Sequence, residues 1–261
     1  MDTFDTSLLI SRHKYGFGAP ADESTAYRFD NGQTQRITEL VDRFGERLNT
    51  TETRTVGILF FKKYSPLFAG ALYAWLRYRH PLDLRFRNVR ILLNGANLKY
   101  ALLNEKPLPL SGDRADSDDS DEAYFRHLFL EHAAPVVDAV AGHTGAAPAA
   151  LWSMIAYSLT YWKQEWLLET QSAELRQRIG QWFDNAAGRF APELLTSGAA
   201  KAMAYPFRSV DDPLHDGRRI MIRRTCCLNY RLSAEDNYCS TCPLISDERR
   251  LEKLKNSHAG G

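Results

Sequence analysis

Hydrophobic residues recur along most of this chain at the spacing of amphipathic helices. Between residues 37 and 48 the apolar positions fall at offsets of three, four, seven and eleven, which places them on one face of a helix. Residues 53–64 show the same periodicity. Residues 67–78 are apolar nearly all round, so we predict a buried central helix there, opened by Pro66 with Ser65 as its cap.

The later part of the chain is also mainly helical in pattern. Further helices are predicted at 123–140, 151–168, 174–190, 192–203 and 246–255. Pro135 should kink or divide the first of these helices. The stripe through Trp162 and Trp166 is more typical of a hydrophobic core than of a cofactor site. The last helix is so highly charged that we expect solvent around most of it.

A few short stretches have the composition of strands. Candidate strands are 82–87, 89–93, 98–103, 207–210 and 218–224. Asn94-Gly95 is a strong turn signal between two of them and predicts an antiparallel hairpin. The last candidate strand leads directly to a cysteine pair. The acidic stretch 111–122 is predicted to be a solvated loop, because it contains no large apolar residue.

Composition places the chain among ordinary globular proteins. Of its 261 residues, 44% are hydrophobic and 25% are charged, with a net charge of +1. This balance gives no field that would attract nucleic acid or anionic lipid. No apolar run approaches the roughly 18 residues that span a bilayer. We therefore expect a cytoplasmic protein without a transmembrane segment, with peripheral attachment to the inner membrane as an alternative location.

All four cysteines lie between residues 226 and 242, in the pattern CC-x11-C-x2-C. Two disulfides are disfavoured, because no export signal is apparent. A chain of this length also does not need disulfides to stabilise its core. Structural zinc is an alternative, although adjacent cysteines are an awkward pair for a tetrahedral knuckle. A [2Fe-2S] cluster also takes four thiolates and accepts less regular spacing. The residues alone leave zinc and iron–sulfur open.

The stretch RRTCCLNYRL, followed by YCSTCPL, resembles the C-terminal signature of the FhuF-like ferric-siderophore reductases. The segments SPLFAGALYAWL and APVVDAVAGHTGAAPAALWSMIAYSL are similar, more weakly, to the helical body of that family. The family spacer between the cysteine pairs has about ten residues, whereas this chain has eleven. One additional loop residue costs little closure entropy, so we expect ligation to be intact.

This resemblance implies a [2Fe-2S] cluster held by Cys226, Cys227, Cys239 and Cys242. The implied activity is one-electron reduction of a ferric siderophore, of the hydroxamate type, with release of Fe(II) in the cytoplasm. The implied architecture is α+β: a mainly helical body with a small antiparallel β-sheet, over residues 1–205, and a C-terminal cluster segment over 206–261. A non-redox zinc-stabilised binding protein, or a [2Fe-2S] redox or iron sensor, is the alternative function.

The electron must come from outside the chain, because the sequence has neither a GxGxxG nor a GxxxxGK[ST] nucleotide motif. The expected donor is a ferredoxin-like protein, a flavin reductase or a small reductant. Arg223, Arg224 and Arg231 flank the cysteines and are candidates for contact with the substrate or the donor. The seven histidines show no ligand spacing; His215, just before the ligand strand, is the first to check as an alternative ligand.

Overall fold

Two consecutive helices, α3 (Thr53–Tyr64) and α4 (Pro66–Tyr78), occupy the centre of the hydrophobic core in the computed structural model. Nearly every side chain of α4 up to its last turn is buried, as its continuous apolar sequence predicts. The structure describes residues 3–21, 26–29, 34–110, 118–204, 206–215, 217–233 and 237–259.

The other helices surround this centre. They are α1 (Ser7–His13), α2 (Thr34–Leu48), α5 (Asp118–Phe125), α6 (Ala134–Thr144), α7 (Pro148–Glu169), α8 (Ala173–Gly188), α9 (Pro192–Leu195), α10 (Gly198–Met203) and α11 (Asp247–Ala259). A π-helical stretch, Arg126–Ala133, joins α5 to α6. Pro135 does not interrupt the predicted helix but lies in the first turn of α6, where the π-helical stretch returns to α-helix. None of the described helices is long and apolar enough to cross a bilayer.

The predicted role of Ser65 as a helix cap is wrong. Its backbone is helical and its side chain makes no capping hydrogen bond. Instead its buried hydroxyl donates to the carbonyl of Phe61, one turn earlier, at 2.5 Å. Only Ser65, itself in helical conformation, separates α3 from α4.

The small sheet has four strands in the order β1-β4-β3-β2, namely β1 (Tyr15–Phe17), β4 (Asn97–Leu102), β3 (Val89–Asn94) and β2 (Ala26–Tyr27). The predicted hairpin is β3 and β4, with Asn94 opposite Asn97. The α+β class is confirmed, but the sheet is mixed because β1 pairs with β4 in parallel. The sequence pattern of the first 35 residues gave no sign of β1.

Residues 82–87 do not form the predicted strand. Leu82 and Leu84 are fully buried there, but two histidines take the place of a neighbouring strand. His127 Nε2 accepts the Leu84 N–H at 2.9 Å, and His132 Nδ1 donates to the Leu84 carbonyl at 2.5 Å. Side chains thus satisfy the backbone groups that a sheet partner would have paired. The acidic loop prediction falls largely outside the described residues, since 111–117 are not among them.

Close packing at Gly57 of α3 provides a test of this arrangement. A methyl group there would overlap Oγ1 of Thr144 and lie 3.0 Å from its Cβ. Thr144 cannot easily move, because its hydroxyl donates to Val140 O at 2.7 Å. We expect Gly57→Ala to lower the free energy of unfolding by about 1–3 kcal/mol, measured by chemical denaturation.

Gly180 of α8 is the matched control, because a methyl group there would meet no atom within 4 Å. Gly180→Ala should raise the free energy of unfolding by about 0.5–1 kcal/mol through helix propensity. Equal effects of the two substitutions would contradict the described packing of α3 against α6.

Candidate metal centre

The cysteines lie where a short hairpin meets the C-terminal loop. Strands β5 (Ser209–Asp211) and β6 (Arg219–Met221) pair antiparallel, which confirms the last two candidate strands in shorter form. Beyond β6, the Arg223 N–H donates to the Thr241 carbonyl at 3.0 Å. The strand that delivers the first cysteine pair is thereby joined to the loop that carries the second.

The four sulfur atoms approach one another in two pairs. Cys226 Sγ lies 3.4 Å from Cys242 Sγ, and Cys227 Sγ lies 3.7 Å from Cys239 Sγ. Two thiolates on one tetrahedral metal, each at about 2.3 Å from it, stand roughly 3.7 Å apart. Each sulfur pair therefore has the separation of one edge of a metal tetrahedron. Each pair takes one cysteine from the CC motif and one from the C-x2-C motif.

The arrangement of the sulfurs in two pairs helps to distinguish a single zinc ion from a two-iron cluster. Among the described residues, no three cysteine, histidine or carboxylate side chains converge as a single ion would require. Adjacent cysteines instead turn towards different partners, which matches the difficulty of placing both on one zinc. Two sulfur pairs suit a two-iron cluster, in which each iron takes two protein thiolates.

Lys62 is a neighbour of the cysteines that the sequence reasoning missed. It lies in the last turns of α3, half-buried, and its Nζ is 3.8 Å from Cys227 Sγ and 3.7 Å from Cys239 Sγ. A single ammonium group thus contacts both sulfurs of one pair. Lys62 is 165 residues from Cys227 in sequence, so no local motif marks it.

Arg223 provides a second positive charge beside the same sulfur pair. Its side chain is buried, and its guanidinium lies 5.6 Å from the ring centre of Tyr157. Burial opposes its charge, but the Cys227 and Cys239 sulfurs raise its pKa. Its Nε and Nη2 are buried without a hydrogen-bond partner among the described residues. Unpaired buried donors are costly, and an anionic cluster with sulfur acceptors would satisfy them.

The protonation of the thiols follows from these contacts. The hydrogen bond shared with Cys227 lowers the pKa of Cys239 to about 4, and Lys62 and Arg223 add to this lowering. The same shared hydrogen bond raises the pKa of Cys227. Burial raises the pKa of Cys226 to about 11. The pair next to the two cations therefore contains the more readily ionised thiol.

Arg250 of α11 holds the C-x2-C loop in shape. Its guanidinium is fully buried and donates to Ser240 O, to Cys242 O at 2.9 Å and to Ile245 O at 3.2 Å. The expectation that α11 is mostly solvated therefore fails at this residue. One charged side chain satisfies three loop carbonyls that have no strand or helix partner.

The other predicted contact residues are placed differently. Arg223 is buried beside the sulfurs, so it is not an ordinary surface arginine. Arg231 lies in a 3₁₀ turn (Asn229–Leu232) and pairs with Glu52 at 3.0 Å. Arg224 is exposed and borders a cavity together with Thr225. His215 pairs with Asp212 at 3.0 Å rather than with a cysteine. Of the spacer, residues 234–236 lie outside the described residues.

Comparison with known families supports the iron–sulfur interpretation. Residues 58–196, more than half of the chain, match the family model for the ferric iron reductase FhuF-like transporter. Residues 223–244 match the FhuF 2Fe-2S C-terminal domain, and this second match spans all four cysteines. No single curated protein gives a significant match. The predicted cofactor, a [2Fe-2S] cluster, is confirmed at the level of the domain family.

Lys62 should raise the reduction potential of the cluster. The cluster becomes more negative when it accepts an electron, so a nearby positive charge stabilises its reduced form. Because the ammonium is only half-buried, we expect Lys62→Met to lower the midpoint potential by about 50 mV, the equivalent of roughly 1 kcal/mol for one electron. The measurement is a redox titration followed by visible absorption.

Lys99→Met is the control for this titration. It removes the same charge from an exposed position on β4 and should leave the potential within measurement error. A Lys62→Met potential equal to that of the wild type would show that the contact with the two sulfurs has no electrostatic effect on the cluster.

Arg250 should determine how firmly the cluster is held. Arg250→Met leaves three loop carbonyls without their donor, at a cost of about 2–4 kcal/mol. We expect this variant to retain less iron and acid-labile sulfide per chain, and to lose its absorption faster under chelator. Arg249→Met, which removes the neighbouring exposed arginine, should behave like the wild type. Equal cluster retention in the two variants would contradict the role of Arg250.

Proposed function

Because the chain belongs to the FhuF-like ferric iron reductase family, we propose that it reduces ferric siderophores, of the hydroxamate type, and releases Fe(II) in the cytoplasm. The observation that carries this proposal is the grouping of four sulfurs into two pairs, with two cations, Lys62 and Arg223, beside one of the pairs. That arrangement suits a cluster that must accept an electron in a region of low dielectric constant.

We propose Cys226, Cys227, Cys239 and Cys242 as the four ligands. Their separations of 3.4 and 3.7 Å are those of thiolates that share a metal. Residues 206–261 would then form the cluster-binding segment and residues 1–205 the body that holds the substrate. The contacts of Lys62 Nζ with two of the sulfurs support a role for the body in the cluster environment.

Held by the four cysteines, a [2Fe-2S] cluster would supply one-electron chemistry between an external donor and the chelated Fe(III). Oxygen ligands hold Fe(III) tightly and Fe(II) much more weakly, because the charge of the ion falls. The chain therefore does not need a general acid or base for iron release. It needs to hold the chelate near the sulfurs and to keep the cluster at a suitable potential.

The donor is proposed to be a ferredoxin-like protein, a flavin reductase or a small reductant. Arg231 is suited to contact with an acidic donor, because its side chain is nearly half exposed even in its ion pair with Glu52. Arg223 is not, since its buried side chain faces Cys227 and Cys239. We assign Arg223 to stabilisation of the reduced cluster and leave surface contacts to Arg224 and Arg231.

Anaerobic mixing tests the proposed activity directly. The protein is reduced, freed of excess reductant and mixed with a ferric trihydroxamate in the presence of a ferrous-iron indicator. We expect the cluster absorption to return to its oxidised form while one Fe(II) appears per cluster reoxidised. The gallium(III) form of the same chelate, which accepts no electron, should leave the cluster reduced.

Reoxidation without Fe(II), or no reoxidation by several ferric hydroxamates, would contradict the reductase. The second result would leave the cluster as a redox or iron sensor. A colourless protein with one zinc per chain would contradict both functions.

A further inference from the structure

A cavity of about 690 Å³ lies between the start of α7, helix α10 and the chain that leads to the cysteines. We call it the α7–α10 cavity. Its lining includes Ala149, Trp152, Ser153, Lys201, Arg224 and Thr225. Its volume falls in the range of cavities that enclose a small organic ligand, roughly 300–1,000 Å³.

The cavity reaches the chain next to a proposed cluster ligand. Thr225 lines it and directly precedes Cys226, and consecutive Cα atoms are only about 3.8 Å apart. An electron can pass to the chelate without a bond between the chelate and the cluster. A position beside Cys226 is therefore close enough for this transfer.

The charge of the lining is positive. Lys201 and Arg224 border the cavity, and no carboxylate side chain is among its lining residues, all of which belong to the described part of the chain. The N-terminus of α7, a helix of 22 residues, opens here without a side-chain cap. Its aligned peptide dipoles add to the positive potential. A ligand with negative charge would therefore be favoured.

Ser153 is an independent sign of a polar ligand. It lines the cavity and is 8% exposed. Its Oγ is buried without a hydrogen-bond partner in the part of the chain that the structure describes. Buried hydroxyls are normally paired, so an oxygen-rich ligand in this cavity would supply the missing partner.

The remaining wall is apolar and made mainly of small side chains, which leaves room for a bulky ligand. Ala150, Ala156 and Ala202 contribute methyl groups, and Trp152 contributes a ring. Gly198 permits this arrangement, because a Cβ atom there would overlap Nε1 of Trp152. The cavity thus combines a positive end with an apolar wall.

We propose that the α7–α10 cavity binds the ferric chelate, and that Lys201 favours hydroxamate chelates that also carry a carboxylate. This inference rests on the proposed reductase function. The chelate's carboxylate would accept a hydrogen bond from Lys201 while its carbon skeleton packs on the alanines and Trp152.

A second cavity near the cluster, of about 560 Å³ between α7 and β6, fits such a ligand less well. The cations of its lining already have partners. Arg218 pairs with Glu165 at 3.2 Å, His215 with Asp212 at 3.0 Å and Arg219 with Asp211 at 3.8 Å. Arg176 donates to the Thr170 carbonyl at 2.6 Å. An added carboxylate would have to compete with these existing partners, so it would gain little there.

Binding of gallium(III) chelates tests this assignment independently of electron transfer. Holoprotein is titrated by calorimetry with the gallium(III) complex of a citrate-based dihydroxamate, which is anionic, and with that of a neutral cyclic trihydroxamate. Lys201→Ala should weaken binding of the anionic complex about tenfold, the loss expected for one charged hydrogen bond. It should weaken the neutral complex less than about twofold. Lys99→Ala, at an exposed lysine on β4, is the matched control and should change neither.

Ala149→Phe provides a second variant, since Ala149 is exposed at the cavity wall and its replacement leaves the core intact. The phenyl ring should weaken both complexes. The retained visible spectrum of the cluster shows that each variant is folded.

Unchanged affinity in Lys201→Ala or in Ala149→Phe would overturn the assignment of the cavity. An equal loss of both complexes in Lys201→Ala would overturn the preference for carboxylates. If the wild type binds the gallium complexes but does not reduce the ferric ones, the reductase function fails while the binding site stands. If it reduces them and both variants bind like the wild type, the site fails while the function stands.

Discussion

The structure depends on bringing four cysteine sulfurs close together, three of them on buried residues. A metal cluster would take these sulfurs as thiolates. Like charges at these separations repel strongly at low dielectric constant, so the fold must place compensating cations and hydrogen-bond donors around them. Lys62 comes from the central helix α3, Arg223 from the chain after β6, and Arg250 from the terminal helix α11. Each cation comes from a different part of the fold, which ties the cluster segment to the helical body.

This arrangement also explains why Cys227 belongs to the main hydrophobic core, whereas Cys226 and Cys242 form a small group with Ile245. The sulfur pair with Cys227 faces the body and its cations. The pair with Cys226 faces the C-terminal loop and the chain that borders the α7–α10 cavity. Under the proposed function the two sides would have different roles: one would set the potential of the cluster, and the other would lie close to the proposed substrate cavity.

The sequence allowed the helices, the β3–β4 hairpin and the four clustered sulfurs to be predicted, because each is marked by local spacing or by a rare residue type. It did not reveal Lys62, which meets the sulfurs only after α3 packs against the C-terminal segment. The sequence also did not reveal the burial of Arg250, because the rest of its helix is charged and predicts exposure to solvent. The irregular course of 82–87 was missed for a related reason: the buried histidines His127 and His132, distant in sequence, supply its hydrogen bonds. Sequence periodicity indicates local secondary structure, whereas the contacts of these four side chains join segments that are distant in sequence or depend on the tertiary fold.

Mössbauer spectroscopy of ⁵⁷Fe-labelled protein, before and after reduction, tests the central claim most directly. The claim is that each sulfur pair holds one of two irons and that the resulting cluster accepts one electron. The oxidised protein should show two tetrahedral ferric sites, and the reduced protein equal amounts of ferric and ferrous iron. A single sulfur-ligated iron per chain, or two irons that both remain ferric under strong reductant, would contradict it.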